Sequence, residues 1–248
     1  VWLSEGTGTL PAGYDRVSGL IGFENLLEQS FETWYSSSMS IAFQTSLFDD
    51  LYAEPELRPL GAMVERIDLE DGAWVDLRPG WLSNSDALFE RLATGVAWRE
   101  DTREMYERIV AVPRLVARFG VDSVMPDPVL IQAMDSLNDH YGRPAGQVFE
   151  TAGLCFYRTG EDSVAWHGDH VGRTLHLDTM VGILSVGTER VLSVRPRGGG
   201  EILRFPVGHG DLIVMGGSCQ RTYEHAILKT KTAVGPRISV QFRPVWPH

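Results

Sequence analysis

From Thr151 onward the chain reads as short apolar segments punctuated by turn residues, at 154–158, 181–186, 191–194, 201–205, 211–215, 222–227 and 238–242. Segments this short, at roughly 8–12-residue spacing with Gly or Pro between them, are strands of stacked antiparallel sheets, the pattern of a sandwich or jelly roll. Upstream, 64–69 and 73–77 alternate in the same way and end at a turn, Pro79-Gly80. Ser83-Asn84-Ser85 then offers a cap for a helix whose Leu88, Phe89, Leu92 and Val96 share one apolar stripe, and a second helix is expected over 128–141. Helices packed outside one sheet make the fold α+β.

The remaining organisation is simple. Residues 1–38 are weakly patterned and end in Ser36-Ser37-Ser38 before Met39. They are expected to be an N-terminal extension, non-native or disordered. Residues 39–63 form an N-terminal segment with a polar linker through Pro55 and Pro59, and 64–248 form the catalytic domain. At 248 residues there is enough chain for one well-buried domain. No run of about 18 apolar residues offers a membrane span. The start has no basic and apolar regions of a secretory signal, and two cysteines, Cys155 and Cys219, make no disulfide framework or zinc site. The cytoplasm is the expected compartment, and a monomer the expected state.

The chemistry is carried by Trp166-His167-Gly168-Asp169, with His225 coming 58 residues after His167. In extended backbone, residues i and i+2 point the same way, so His167 and Asp169 can converge on one ion while Gly168 lets the chain pass close to it. Two imidazoles and one carboxylate on one face of an iron ion leave positions open for oxygen and a bidentate keto acid. Arg237 and Arg243 come after the distal histidine, and guanidinium is a planar, permanently charged fork suited to carboxylates. His-x-Asp alone is unspecific, and the chain holds three: His209-Gly210-Asp211 reads as a turn feeding a buried strand, whereas His176-Leu177-Asp178 stays open as an alternative ligand pair.

Context separates them. The run from Phe149 to Asp169, with Tyr157-Arg158-Thr159-Gly160-Glu161-Asp162 before the motif, resembles the AlkB family of Fe(II)/2-oxoglutarate-dependent dioxygenases. Trp98, Val112-Pro113-Arg114, Ser185-Val186-Gly187 and Gly210-Asp211-Leu212-Ile213-Val214-Met215 agree in order, so the resemblance covers roughly residues 70–245. It implies a double-stranded β-helix core with flanking helices. It implies iron held by His167, Asp169 and His225, and 2-oxoglutarate held by Tyr157 and by Arg237 at its distal carboxylate. Arg243, six residues on and on the same strand face, is expected near the co-substrate's other end. The implied reaction couples decarboxylation of 2-oxoglutarate, to succinate and carbon dioxide, to hydroxylation of an N-methyl carbon and release of formaldehyde. The expected substrate is an alkylated base in nucleic acid, preferably single-stranded DNA, which makes this a DNA-repair enzyme.

Several positions depart from the family. Cys155 stands where an asparagine commonly precedes the co-substrate tyrosine by two residues, and a thiol is a weak hydrogen-bond partner. Ser239 and Gln241 stand where asparagine and threonine are common. Val171 replaces an often acidic residue that reads the substrate base. The segment between Arg114 and Pro128 is short for a lid over a flipped base, which favours single-stranded or otherwise exposed substrates. Trp98, Arg195, Arg197 and Val171 are the candidate substrate contacts. Trp74 and Trp81 are expected in the core.

The net charge of −11 at first sight argues against a polyanionic partner. Yet residues 151–248 hold 11 Lys/Arg against 8 Asp/Glu, while residues 1–150 hold 11 against 25, so the acidic excess lies outside the half with the iron motif. Gln44-Thr45-Ser46-Leu47-Phe48 resembles the peptide by which bacterial repair proteins dock on the DNA sliding clamp. Unchanged clamp binding after Leu47→Ala/Phe48→Ala would remove that expectation. Two rival functions are an oxygenase of the same chemistry acting on a protein or small molecule, favoured by Val171 and the short lid, and a jelly-roll metal-binding module without turnover, favoured if Cys155 disables co-substrate binding. Succinate release separates the second from the others.

Overall fold

The computed structural model describes residues 53–105, 108–142, 147–169 and 177–245, with backbone alone from 101 to 112. Residues 1–38, the Gln44 to Phe48 peptide, Val171 and His176 lie outside the described residues. The elements are β1 (Glu56–Leu57), β2 (Glu65–Asp68), β3 (Ala73–Arg78), β4 (Leu82–Ser83), α1 (Ser85–Gly95), β5 (Arg99–Met105), β6 (Arg108–Phe119), α2 (Pro128–Leu137), β7 (Phe149–Tyr157), β8 (Val164–His167), β9 (Val181–Gly187), β10 (Arg190–Pro196), β11 (Leu203–Val207), β12 (Asp211–Gly217), α3 (Cys219–Thr222), β13 (Tyr223–Ile227) and β14 (Arg237–Pro244).

They form a large antiparallel sheet, β2-β3-β12-β9-β14-β7-β6-β5, and a small one, β11-β10-β13-β8. This is the jelly-roll core with flanking helices, α+β, that the strand spacing and the family resemblance led us to expect. Each of the seven strand segments read after Thr151 is present. The β5/β6 hairpin was not expected. Pro113 interrupts β6, and β5 (Arg-Glu-Asp-Thr-Arg-Glu-Met) is mostly charged, so neither carries an apolar alternation. After Phe119 the chain turns at Gly120, whose carbonyl accepts from Ser123 N, and heads for α2.

The helices cover one face of the large sheet, α1 against β9 and β14 and α2 against β7. For α1 the buried residues are Leu88 and Leu92, four apart on one face. The expected side-chain cap is absent: Asn84 is left-handed at φ 52 and makes no cap bond, while Ser85 Oγ donates back to Leu82 O at 2.7 Å. Asp127 does cap α2, accepting from Val129 N at 3.0 Å, with Pro128 at the first helical position where its missing N–H costs nothing. The same carboxylate pairs with Arg91 Nε at 2.7 Å and so ties α2 to α1. Beneath them Leu130, Leu137, Phe149, Leu154, Leu184 and Phe242 are fully buried, and truncating one such leucine to alanine costs about 2–5 kcal/mol.

Packing reaches upstream of residue 64. Leu60 is buried, Leu57 packs against the core, and β1 pairs with β4. Trp81 is fully buried, as expected. Trp74 stacks on Tyr141, ring centroids 5.9 Å apart, under the Arg66 guanidinium that grips Asp76 through two bonds of 2.8 and 2.9 Å. Both tryptophans therefore serve the core. Among the described residues no helix is long and apolar enough to cross a membrane.

Candidate active site

Alternation along the central strands makes the site. On β14, Ile238, Val240 and Phe242 join the core under the helices, while Arg237, Ser239, Gln241 and Arg243 line a cavity between the sheets. On β7, Leu154 and Phe156 face the helices, and Cys155 and Tyr157 face the cavity. Register then sets neighbours: Arg237 opposes Tyr157 and Ser239 opposes Cys155. A slip of one residue would exchange the polar and apolar sets.

The small sheet supplies the facing wall. His225 on β13 is the register partner of His167 on β8, and their rings lie 4.2 Å apart, centre to centre. His167 Nδ1 is 2.9 Å from the carbonyl oxygen of Ala165, which can only accept, so Nδ1 carries the proton and Nε2 keeps its lone pair. Burial, reinforced by His167, pushes His225 down to about 3, and burial also lowers His167. Both imidazoles are therefore neutral near pH 7, the form that binds metal.

Asp169 lies just past β8, its Oδ1 4.0 Å from His167 Nε2. Burial by itself would raise its pKa; Arg243, with His225 and His167, outweighs burial and holds it at about 2. Its Oδ2 accepts from Arg243 Nε at 2.9 Å. As the side chains stand, no three His, Cys, Asp or Glu groups among the described residues are drawn together tightly enough to grip an ion. The Asp169 carboxylate is instead paired with the Arg243 guanidinium, with which a dication would compete for it. The donor types suit Fe(II): the neutral imidazoles of His167 and His225 line one end of the cavity, and the ionised carboxylate of Asp169 lies behind it, 4.0 Å from His167 Nε2.

The other end suits a carboxylate. Arg237 is 1% exposed, its Nε donates to Ser185 Oγ at 2.8 Å, and its Nη1 is buried without a partner. A buried cation with an unsatisfied donor at a cavity wall is complementary to an anionic ligand group. The Arg237 guanidinium carbon lies 5.3 Å from the centre of the Tyr157 ring, and Arg190 backs that ring at 5.7 Å while bonding to the carbonyls of Thr159, Asp162 and Leu228. Burial, aided by Cys155 and opposed by Arg237 and Arg114, pushes the Tyr157 phenol up to about 12, so it stays a donor at neutral pH. Leu192, Val207, Ile213 and Ile227 complete an apolar wall.

Cys155 keeps a polar role. Its Sγ accepts from Arg114 Nε at 3.3 Å, and Arg114 Nη1 donates to Ser163 O at 3.1 Å. Ser239 accepts from Gln241 Nε2 on both its carbonyl and its hydroxyl oxygen. Arg243 lines the cavity as expected, but in this structure its Nε is engaged by Asp169.

The expected substrate residues fare differently. Trp98 has structural partners: its Nε1 donates to Leu92 O and Ala93 O at the end of α1, and its ring packs on Phe156 at 5.2 Å. Arg195 lies within β10, not at the hairpin tip, where Glu224 holds it at 3.0 Å and Trp166 lies 4.0 Å beneath its guanidinium. Arg197 is exposed just before the Gly198–Gly200 tip, with its Nε donating to Arg221 O at 2.9 Å.

The rival His-x-Asp pairs are spoken for where described. His209 Nδ1 accepts from Gly187 N, and Asp211 accepts from Gly80 N and Gly208 N at 2.7 Å each, around Gly210 at φ 83. Asp178 pairs with Arg221 at 2.7 Å. Sequence reasoning assigned no role to Arg114, Ser185 or Gln220. The first two sit inside motifs already noted. Gln220 had no signal beyond lying five residues before His225.

Residues 82–243 match the family model described as 2OG-Fe(II) oxygenase superfamily. Over 194 residues the chain is 29% identical to "Alpha-ketoglutarate-dependent dioxygenase alkB homolog 3" of Bos taurus, spanning 70% of this chain and 66% of that relative. It is 23% identical over 185 residues to "DNA oxidative demethylase ALKBH2" of Bos taurus, covering 66% of each. Among solved structures, a 2OG-Fe(II) oxygenase family oxidoreductase from Burkholderia pseudomallei superposes with a TM-score of 0.50 at 13% identity, over 70% of this chain and 86% of that one.

Proposed function

Because the chain belongs to the 2OG-Fe(II) oxygenase superfamily, within its AlkB family, and is thus an Fe(II)/2-oxoglutarate-dependent dioxygenase, we propose that it oxidatively dealkylates nitrogen atoms of nucleic-acid bases. Single-stranded DNA is the preferred substrate, with formaldehyde, succinate and carbon dioxide as products. The observation that carries the reading is the similarity to alkB homolog 3 and to a DNA oxidative demethylase across about two thirds of the chain. The balance of basic over acidic residues in 151–248 and the short connection from Phe119 to α2 agree with an unpaired polyanionic strand.

Each residue then has a task. His167, Asp169 and His225 would hold the iron, and Arg237, whose Nη1 is buried with no hydrogen-bond partner among the described residues, would pair with the distal carboxylate of 2-oxoglutarate. Tyr157, protonated, donates to the same co-substrate, and Ser185 holds Arg237 in place. Arg243, which lines the cavity and bonds to Asp169, would serve the co-substrate's other end. Cys155, with Arg114 on its sulfur, and Ser239 form the polar floor between them. The apolar wall of Leu192, Val207, Ile213 and Ile227 keeps water from the oxidising centre. When bound, iron and 2-oxoglutarate supply the oxidation of an N-alkyl carbon to a hemiaminal, which then loses formaldehyde.

The test pairs oligonucleotides carrying N1-methyladenine or N3-methylcytosine, single-stranded and duplex, with mass spectrometry and succinate measurement. Loss of the methyl group, faster on single strands, is the expected result. Succinate formed while both methylated bases persist would transfer the activity to a protein or small-molecule substrate.

A further inference from the structure

β8 ends at His167, the last residue it pairs with β13. Asp169 therefore lies two residues beyond the ladder, and among the described residues its backbone N–H is held by Gln220. Its Oε1 accepts from Asp169 N at 3.0 Å, the residue is 1% exposed, and its Nε2 is buried without a partner, so among the described residues its side chain grips Asp169 alone. A Cβ at Gly168 would sit 2.7 Å from Arg197 Nη2 and 2.8 Å from the Gln220 main-chain oxygen, so the chain before Asp169 passes close against both.

The turn that carries Gln220 is itself anchored. Arg221 N and Thr222 N both donate to Ser218 O, at 2.8 and 2.9 Å, and Ser218 Oγ donates to Asp71 O at 2.8 Å. Asp169 is thus held from two sides: its backbone by Gln220, its carboxylate by Arg243. A dication bound by this carboxylate would compete with Arg243 for it.

We propose that Gln220 is a positioning residue for the metal centre, fixing the backbone of Asp169 so that its carboxylate can meet the same ion as His167 and His225. This rests on those three residues being the ligands. Groups that orient a metal ligand in this way are worth 10–100-fold in metal affinity when lost.

The test titrates metal-free protein with Co(II) against a competing chelator, with no co-substrate and no turnover. Gln220→Met keeps the volume and removes the acceptor; it should weaken Co(II) binding by about 10–100-fold. Gln220→Glu keeps an acceptor oxygen and should bind at least as tightly as the wild type. Gln220→Asn, which draws the acceptor oxygen back by one methylene, should also weaken binding and so carries the test if Gln220→Met does not fold. Wild-type affinity in Gln220→Met, or equal losses in the Met and Glu variants, would overturn the proposal. Asp169→Ala separates the premise: if it too binds Co(II) normally, the ligand assignment is what has failed.

Discussion

Arg237→Met should move stability and co-substrate affinity in opposite directions. The side chain is a fully buried cation whose charge faces Tyr157, Ser185 and an otherwise unpartnered cavity, and burial lowers its pKa from the ordinary arginine value. Without a carboxylate in the cavity that charge is under-compensated, and replacing such a group by an apolar one of similar size is neutral or stabilising by about 1–4 kcal/mol. Losing the Ser185 bond returns about 1 kcal/mol of that. The metal-free, co-substrate-free variant should therefore melt at or up to about 2–4 °C above the wild type for each kcal/mol gained. Binding goes the other way. Truncating one partner of a buried, hydrogen-bonded charge pair costs about 2–5 kcal/mol, or roughly 30-fold to several thousand-fold in Kd. Thermal melts with and without 2-oxoglutarate read both. At a co-substrate concentration about 100 times the wild-type Kd, the wild type gains about 2.7 kcal/mol and the variant at most about 0.9 kcal/mol. A variant destabilised by about 2 kcal/mol or more that still gains the wild-type increment would refute the assignment of Arg237.

Acidification should destabilise the metal-free protein in a window set by His225. Its folded pKa, about 3, is below the ordinary value of about 6.5, so its contribution is complete above about pH 6.5 and lost as pH falls toward 3. Asp169, held at about 2, adds a loss below about pH 4 in the same direction. His225→Asn should flatten the melting curve between about pH 6.5 and 4, and an unchanged slope would contradict the burial argument. Trp98→Phe removes the indole donor to Leu92 O and Ala93 O and should cost about 1 kcal/mol in denaturant unfolding. It should leave activity on methylated oligonucleotides within experimental error; a selective rise in KM would return Trp98 to the substrate site. Cys155→Ala strips Arg114 Nε of its sulfur partner and should weaken 2-oxoglutarate binding less than Arg237→Met does, as measured by the visible charge-transfer band in anaerobic Fe(II) titrations. Equal losses would make the thiol a principal contact.

Strand positions were legible in the sequence because they rest on local chemistry: period-2 alternation and turn residues reveal strands wherever one face is apolar. Side-chain type marks groups able to bind iron, but three His-x-Asp pairs share it, and the family resemblance singled out His167, Asp169 and His225. Where those signals are absent the reading missed: β5 and β6 carry charges and a proline, and Asn84 looks like a cap while its left-handed backbone prevents it. Trp98 illustrates a different limit, since an indole suited to stacking a base is equally suited to closing a helix, and only the neighbouring carbonyls decide. By itself, then, the sequence determined which groups could do the chemistry and that they ride on strands of a jelly roll. Tertiary structure alone decided their partners. Register put Cys155 opposite Ser239, sheet stacking brought Arg243 onto Asp169 across 74 residues of sequence, and the turn before β13 placed Gln220 against the backbone of Asp169. Such pairings depend on distances between chain segments remote in sequence, which no local pattern encodes.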